Sequence, residues 1–274
     1  MSSHQHLIFL LCSATFQNTS CHAAEVAEIV RGATVALRSD WAAAPDYAFL
    51  QRDEFQRNGK PASKTHRVVM IAGSDYYMPI AIDDQPLSPD QQRSELQKLK
   101  NEFQRRNNED AQAQQRRVEN YRKQREQNGA LVVEFPNAFS FELVREEAIN
   151  SHMAYVLAAT PRKRSGPASR AAKVLAGMRG EMWVDGETIH VVRAESKVIA
   201  PVSIFGIFAR VLPGTHMELE MEPVTDSIWL VSRFSMTLEV SKFWFHSTQV
   251  TNSTYSNYRA NGPVLDDLLS RADE

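Results

Sequence analysis

Gly180-Glu181-Met182-Trp183-Val184-Asp185-Gly186-Glu187-Thr188-Ile189-His190-Val191-Val192 is the stretch whose reading decides the fold. Two β-rich runs flank an Asp-Gly pair, and both residues of such a pair accept the positive φ of a type I′ turn. The reading predicts a hairpin in which Val184 faces Glu187, Trp183 faces Thr188 and Met182 faces Ile189. Further out, His216-Met217-Glu218-Leu219-Glu220-Met221-Glu222 alternates without a fault. Ile228, Leu230, Phe234, Met236, Leu238 and Val240 then keep one parity, with Arg233, Ser235, Thr237, Glu239 and Ser241 on the other. A period of two over this length predicts an antiparallel meander over residues 180–258 with one buried face. That face is rich in Met, Phe and Leu.

The rest of the chain extends this sheet on its N-terminal side. Residues 47–55, 65–72 and 76–82 read as strands, the first running to a turn at Asn58-Gly59, and Pro79 suits an edge. Residues 139–144 and 152–159 read as a further pair. Val26, Ile29, Val30, Ala33, Leu37 and Trp41 recur at helical spacing, predicting an amphipathic helix over 25–41. Ile204-Phe205-Gly206-Ile207-Phe208-Ala209-Arg210-Val211-Leu212 is too continuously apolar for a half-exposed strand. It reads as a short helix or plug over the sheet, ended by Pro213-Gly214. Pro161-Arg162-Lys163-Arg164-Ser165-Gly166-Pro167, with Arg170 and Lys173, reads as a solvated basic loop; contact with an anionic surface is the alternative.

Residues 88–128 differ in texture: rich in Gln, Arg and Lys, with Leu96, Leu99, Phe103, Val118 and Tyr121 as a sparse apolar set. Ser88 is placed as a cap and Pro89 as the first helical residue. A helix this polar either projects as a partner-binding arm or lies on the body along one thin stripe, and Asn107-Asn108 is a point where it splits into a helical hairpin.

Length and charge set bounds. With 274 residues and 43% hydrophobic content the chain can bury a sizeable core, and a net charge of −2 gives no bias toward nucleic acid. The only cysteines, Cys12 and Cys21, precede residue 25, so residues 25–274 hold neither a disulfide framework nor thiolate chemistry. Residues 1–24 read as an export signal, with Leu7-Ile8-Phe9-Leu10-Leu11-Cys12 as its apolar core and Ala23-Ala24 at the cut. Lipid attachment at Cys21 and a retained anchor are the alternatives. Residues 263–274 read as a polar tail.

No catalytic or metal signature emerges. His66, His152, His190, His216 and His246 show no metal-binding spacing, and there is no G-x-S-x-G, P-loop or G-x-G-x-x-G. Asp185 is accounted for by turn chemistry, and Trp183, Trp229 and Trp244 read as core anchors.

The order of an exported start, an N-terminal amphipathic helix, strands and Gly180-Glu181-Met182-Trp183-Val184-Asp185 resembles a known group. Leu212-Pro213-Gly214, Pro223-Val224-Thr225-Asp226-Ser227-Ile228-Trp229-Leu230 and Tyr255-Ser256-Asn257-Tyr258-Arg259 complete the likeness. The chain resembles the outer-membrane lipoprotein carrier and sorting superfamily (LolA/LolB-like, with RseB-like domains) over most of residues 25–260. The resemblance implies an α+β, mainly β fold: a curved antiparallel sheet forming an incomplete half β-barrel over 25–262, covered by helices. It departs from the compact carriers in the polar insertion 88–128. It implies a periplasmic, non-enzymatic protein binding lipid acyl chains or lipoproteins, without cofactor, metal or nucleic acid and with at most transient membrane contact. The residues expected to line the cavity are Met217, Leu219, Met221, Phe234, Met236 and Leu238, covered by helix 25–41 and segment 204–212. The alternative is an RseB-like envelope interaction or sensor protein, with 88–128 as its arm for a protein partner.

Overall fold

The computed structural model describes residues 14–57, 60–149, 152–162, 173, 175–203, 209–242 and 245–273. Its helices are α1 (Ala14–Ala43), α2 (Pro89–Asn107), α3 (Ala111–Ala138) and α4 (Asn261–Arg271). Its strands are β1 (Tyr47–Arg57), β2 (Lys60–Ile71), β3 (Ser74–Ile82), β4 (Gln85–Pro86), β5 (Phe139–Ile149), β6 (His152–Pro161) and β7 (Met178–Asp185). They continue as β8 (Val191–Val198), β9 (Val202–Ser203), β10 (Ala209–Val211), β11 (His216–Thr225), β12 (Ile228–Lys242) and β13 (Phe245–Ala260).

One open antiparallel sheet runs β4-β3-β2-β1-β13-β12-β11-β8-β7-β6-β5, with β10 on β12 and β9 on β10. Its ends, β4 and β5, do not pair. The result is the expected incomplete barrel with helices over it. The helix expected at 25–41 is α1, which spans Ala14–Ala43. Among the described residues no helix is long and apolar enough to cross a membrane.

The deciding hairpin is present but in another register. Val184 pairs with Val191, Trp183 with Arg193 and Met182 with Ala194, so residues 186–190 form a longer loop. Asp185 uses its side chain instead of a positive φ: its carboxylate accepts from the Glu187 and Thr188 amides at 3.1 and 2.7 Å and from the Thr188 hydroxyl at 2.8 Å. An Asx-type bond of this kind competes with the two-residue turn. Ile189 takes the positive φ, at 59°. Tight turns with two positive φ angles stand instead at Ala72 (46°) and Gly73 (86°), between β2 and β3, and at Asp83 (50°) and Asp84 (60°), between β3 and β4.

Three buried clusters hold the fold. Val26, Ile29, Val30 and Ala33 of α1 pack with Leu157, Met182, Val184, Val191 and Trp229. Leu96 and Leu99 of α2 and Leu265 and Leu268 of α4 cover Ala48, Val69, Ile71 and Met78. Ala138, Phe139, Met178, Val202 and Val211 make the third. Residues 263–274 are therefore no loose tail, since Leu265 and Leu268 sit a turn apart and are buried. Part of the plug expected at 204–212 is also different: residues 209–211 are β10, whose Arg210 and Val211 pair with Ser203 and Val202; residues 204–208 lie outside the described ones. So do the turn at 58–59, Trp244 and most of the basic loop.

The polar segment takes the thin-stripe course. Ser88 caps α2 with a reciprocal Gln91 bond, Pro89 opens it, and the break falls at Asn107-Asn108. Asp110 caps α3. The two helices straddle the β2–β3 turn. Arg106 of α2 donates to the carbonyls of Ile71, Ser74 and Asp75 (3.2, 2.8 and 3.1 Å) and to the Ser74 hydroxyl (2.9 Å). Arg117 of α3 donates to the Ala72 carbonyl (3.1 Å) and the same hydroxyl (2.7 Å). Glu102 and Glu109 pair with Arg106 and Arg117. Val118 packs so close to Gly73 that a Cβ there would lie 3.2 Å from it.

Candidate functional site

Strand pairing sets which side chains share a face. Met217 lies opposite Met236, and Leu219 opposite Phe234. Phe234 neighbours Ser253 on β13, which neighbours Asp53 on β1. In the other direction Leu219 neighbours Ala194, then Met182, then Leu157. Leu157 and Met182 pack with α1, so α1 lies on this face. Tyr121 of α3 donates to Met70 Sδ at 3.5 Å, and Met70 shares parity with Val68 and His66 on β2. His66 stands opposite Gln51 of β1, on the same side as Asp53. Hence α1 and α3 cover the face that carries the expected cavity residues, while α2 and α4 lie on the reverse of β1–β3.

Five of the six expected residues form a half-buried wall: Met217, Leu219, Phe234, Met236 and Leu238. Met217 and Leu238 touch the third cluster, Leu219 the first, and Phe234 and Met236 stand between them on β12. Met221 differs. A bulge separates it from Glu220, and at 7% exposure it belongs to the core under α1. An ordinary core residue is what it is.

The same face has a polar half. Gln51 Nε2 donates to both Asp53 oxygens at 2.9 and 3.0 Å, and the Ser253 hydroxyl donates to Asp53 Oδ1 at 2.6 Å. His66 Nδ1 stands 4.0 Å from Asp53 Oδ2 and has no hydrogen-bond partner. Burial, then the Lys64 charge, lowers the His66 pKa against the pull of Asp53. Tyr77, edge-on to His66 at 5.9 Å, is 45% exposed, yet burial raises its phenol first of all. Burial likewise raises Tyr255 and Tyr258, which flank Phe49 at 5.9 and 5.3 Å.

The opposite face is ionic. Arg145 pairs with Glu147 and Glu181, Arg193 with Glu195 and Glu218, and Arg52 with Glu54 and Asp84. Trp183 lies beneath Arg145 and Arg193, 5.8 and 5.3 Å from its ring, and donates to Glu147 at 3.3 Å. This explains a tryptophan that is core-like, 4% exposed, on the water-facing side. The polar half at Gln51, Asp53 and His66 escapes sequence reading, because Tyr47-Phe49-Gln51-Asp53-Phe55 shows its parity but not which sheet neighbours it meets.

No family model matches the chain, and no curated protein matches it. Among solved structures the chain is similar to a domain named for outer-membrane lipoprotein sorting from Vibrio parahaemolyticus: 11% identity, 91% of this chain and 98% of that one, TM-score 0.33. It is similar to a LolA superfamily protein from Nitrosomonas europaea at 12% identity, over 83% of this chain and 92% of that one, TM-score 0.31. It is also similar to the MucA/MucB complex structure from Pseudomonas aeruginosa at 12% identity, over 81% of this chain and 93% of that one, TM-score 0.21.

Proposed function

We propose that the protein is a non-enzymatic binding protein of the bacterial envelope whose covered face takes up lipid acyl chains, free or on a lipoprotein. The observation that carries this is the half-buried wall of Met217, Leu219, Phe234, Met236 and Leu238 on the side that α1 and α3 cover. An ordinary core would seal such residues. Methionine and phenylalanine left partly open beneath helices offer an adaptable apolar surface for flexible chains. Burying about fifteen methylenes at about 0.8 kcal/mol each is worth about 12 kcal/mol, and an association cost of about 4 kcal/mol leaves about 8 kcal/mol, an affinity in the micromolar range.

The polar helices are poor candidates for deletion, because removing α2 uncovers Val69 and Ile71. Point changes on the wall give the cleaner test. Native mass spectrometry of the protein purified from its own envelope should show an adduct of acyl-chain mass, identified after organic extraction. Met236→Asp should abolish that adduct and the uptake of a fluorescent fatty acid at micromolar concentration while leaving the circular dichroism unchanged. A wild type that carries no adduct and takes up no fatty acid ends the proposal.

A further inference from the structure

Asp40, in the last turn of α1, is 1% exposed. Its Oδ1 accepts the Trp229 amide at 3.0 Å, which ties the end of α1 to the start of β12. Its Oδ2 is buried and meets no hydrogen-bond donor. His190, 8% exposed, places Nε2 at 3.6 Å from Oδ1 and stacks on Trp229 with ring centroids 5.5 Å apart. The other ring nitrogen, Nδ1, stands 3.1 Å from the Thr188 carbonyl. A carbonyl only accepts, so this bond assigns the proton to Nδ1, and Nε2 carries one toward Asp40 only in the imidazolium. The pair is therefore well matched when it shares an extra proton. Without that proton, a buried carboxylate faces a nitrogen lone pair, an arrangement with a real desolvation cost.

A second observation lies one residue away. Ile189 is β-branched and sits at φ 59°, a conformation such residues rarely adopt. It is pressed against α1 at Gly32, where an added Cβ would come within 2.8 Å of Ile189 Cγ2. Glycine inside a helix is unfavourable, so its presence here fits the need for close approach of the loop. The loop thus holds strain at the point where it grips α1. A surface cavity of about 470 Å³ between α1 and this loop, lined by Arg31, Gly32, Val35 and Ser227, gives solvent a route to His190.

We propose that Asp40 and His190 form a proton-linked latch that holds α1 on the sheet and loosens as pH rises. The part it plays in admitting cargo rests on the carrier reading above; the latch itself does not. Burial raises the Asp40 pKa above the ordinary carboxylate value, against the Trp229 amide and the His190 charge. A group whose pKa is higher in the docked state favours docking at low pH, and that contribution is lost as pH rises through the raised value. Other charges flank the pair without entering it. Glu28 and Arg31 of α1 line the same cavity as His190. Glu187 belongs to the loop, and Asp185 is bonded to Glu187 and Thr188. Arg125 of α3 donates to the Trp41 carbonyl and stacks over Trp41 at 4.6 Å.

Amide hydrogen exchange of the ligand-free full chain, corrected for intrinsic rates, tests this at about pH 4, 5.5, 6.5 and 8, from the ordinary carboxylate value upward. Protection over residues 30–43 should fall about tenfold across this range relative to α4, whose buried Leu265 and Leu268 serve as the internal reference. In Asp40→Asn, which keeps the shape, the pH dependence should vanish. A flat profile in the wild type, or an unchanged slope in Asp40→Asn, overturns the latch. The two readings fail separately: a pH-dependent α1 in a protein that takes up no lipid ends the carrier alone, and lipid uptake with a flat α1 ends the latch alone.

Discussion

Replacing Arg106 by methionine keeps much of the side chain's length and removes its own donors from the turn between β2 and β3, leaving those of Arg117. Arg106 is 8% exposed, and its guanidinium serves five acceptors: the carbonyls of Ile71, Ser74 and Asp75, the Ser74 hydroxyl and the Glu102 carboxylate. The hydroxyl keeps Arg117 at 2.7 Å, so the loss falls on the carbonyls. A buried polar group left unpaired costs about 1–3 kcal/mol, and breaking a buried charged network costs about 3–5 kcal/mol. Glu102 loses one partner but keeps Arg105 at 2.6 Å, which softens the effect. We expect Arg106→Met to lose about 3–4 kcal/mol of stability. In urea, at an m-value of about 2–3 kcal/mol/M, the midpoint should fall by about 1–2 M with the slope unchanged. Arg106→Lys should recover less than half, since one ammonium cannot span donors aimed at three carbonyls. A loss under about 1 kcal/mol in Arg106→Met would mean that α2 does not grip this turn, and that the helix pair is free to act as a projecting arm.

Two further outcomes follow from the same region. Leu99 is 0% exposed between α2 and the sheet, so Leu99→Ala should cost about 2–5 kcal/mol in urea unfolding; a change under about 1 kcal/mol would place α2 off the body. Hydrogen bonds from Arg105, then Arg106, hold the Glu102 carboxyl down to about 2. A depressed carboxylate contributes stability above its ordinary range and loses it as pH falls toward that value. The urea midpoint should accordingly decline between about pH 5 and pH 2, and Glu102→Gln should flatten part of that decline.

Much of the architecture was legible because strands announce themselves by parity. The alternation at His216 to Glu222 and at Ile228 to Val240 placed β11 and β12, while the register that sets Met217 opposite Met236 and Leu219 opposite Phe234 is seen only in the sheet. Ser88 and Pro89 marked the start of α2 because capping is local chemistry. The Asp185-Gly186 turn misled because the same aspartate that favours a turn can cap the following amides, which lengthens the loop and shifts the register. Met221 looked like its neighbours Met217 and Leu219 because a bulge leaves no mark on a pattern of alternating residues. The grip of Arg106 and Arg117 was illegible for a different reason: a buried arginine on backbone carbonyls has the same one-letter code as a solvated one. Leu265 and Leu268 were hidden among acidic neighbours in a segment too short to show periodicity.

The route of the chain through α2 and α3 has a mechanical consequence. β3 and β4 stand at one end of the sheet and β5 at the other, yet they are joined in sequence by the two helices alone. α3 is fastened beside β3 by Arg117 and runs directly into β5. Its 28 residues span about 42 Å at about 1.5 Å each, so it is strung across the open side as a bowstring is across a bow. The curvature of the sheet is then a property of helix length, not of strand twist alone. On the proposed carrier reading, a wider cargo would have to bend or slip the string, and the bow would return to one shape when that cargo leaves.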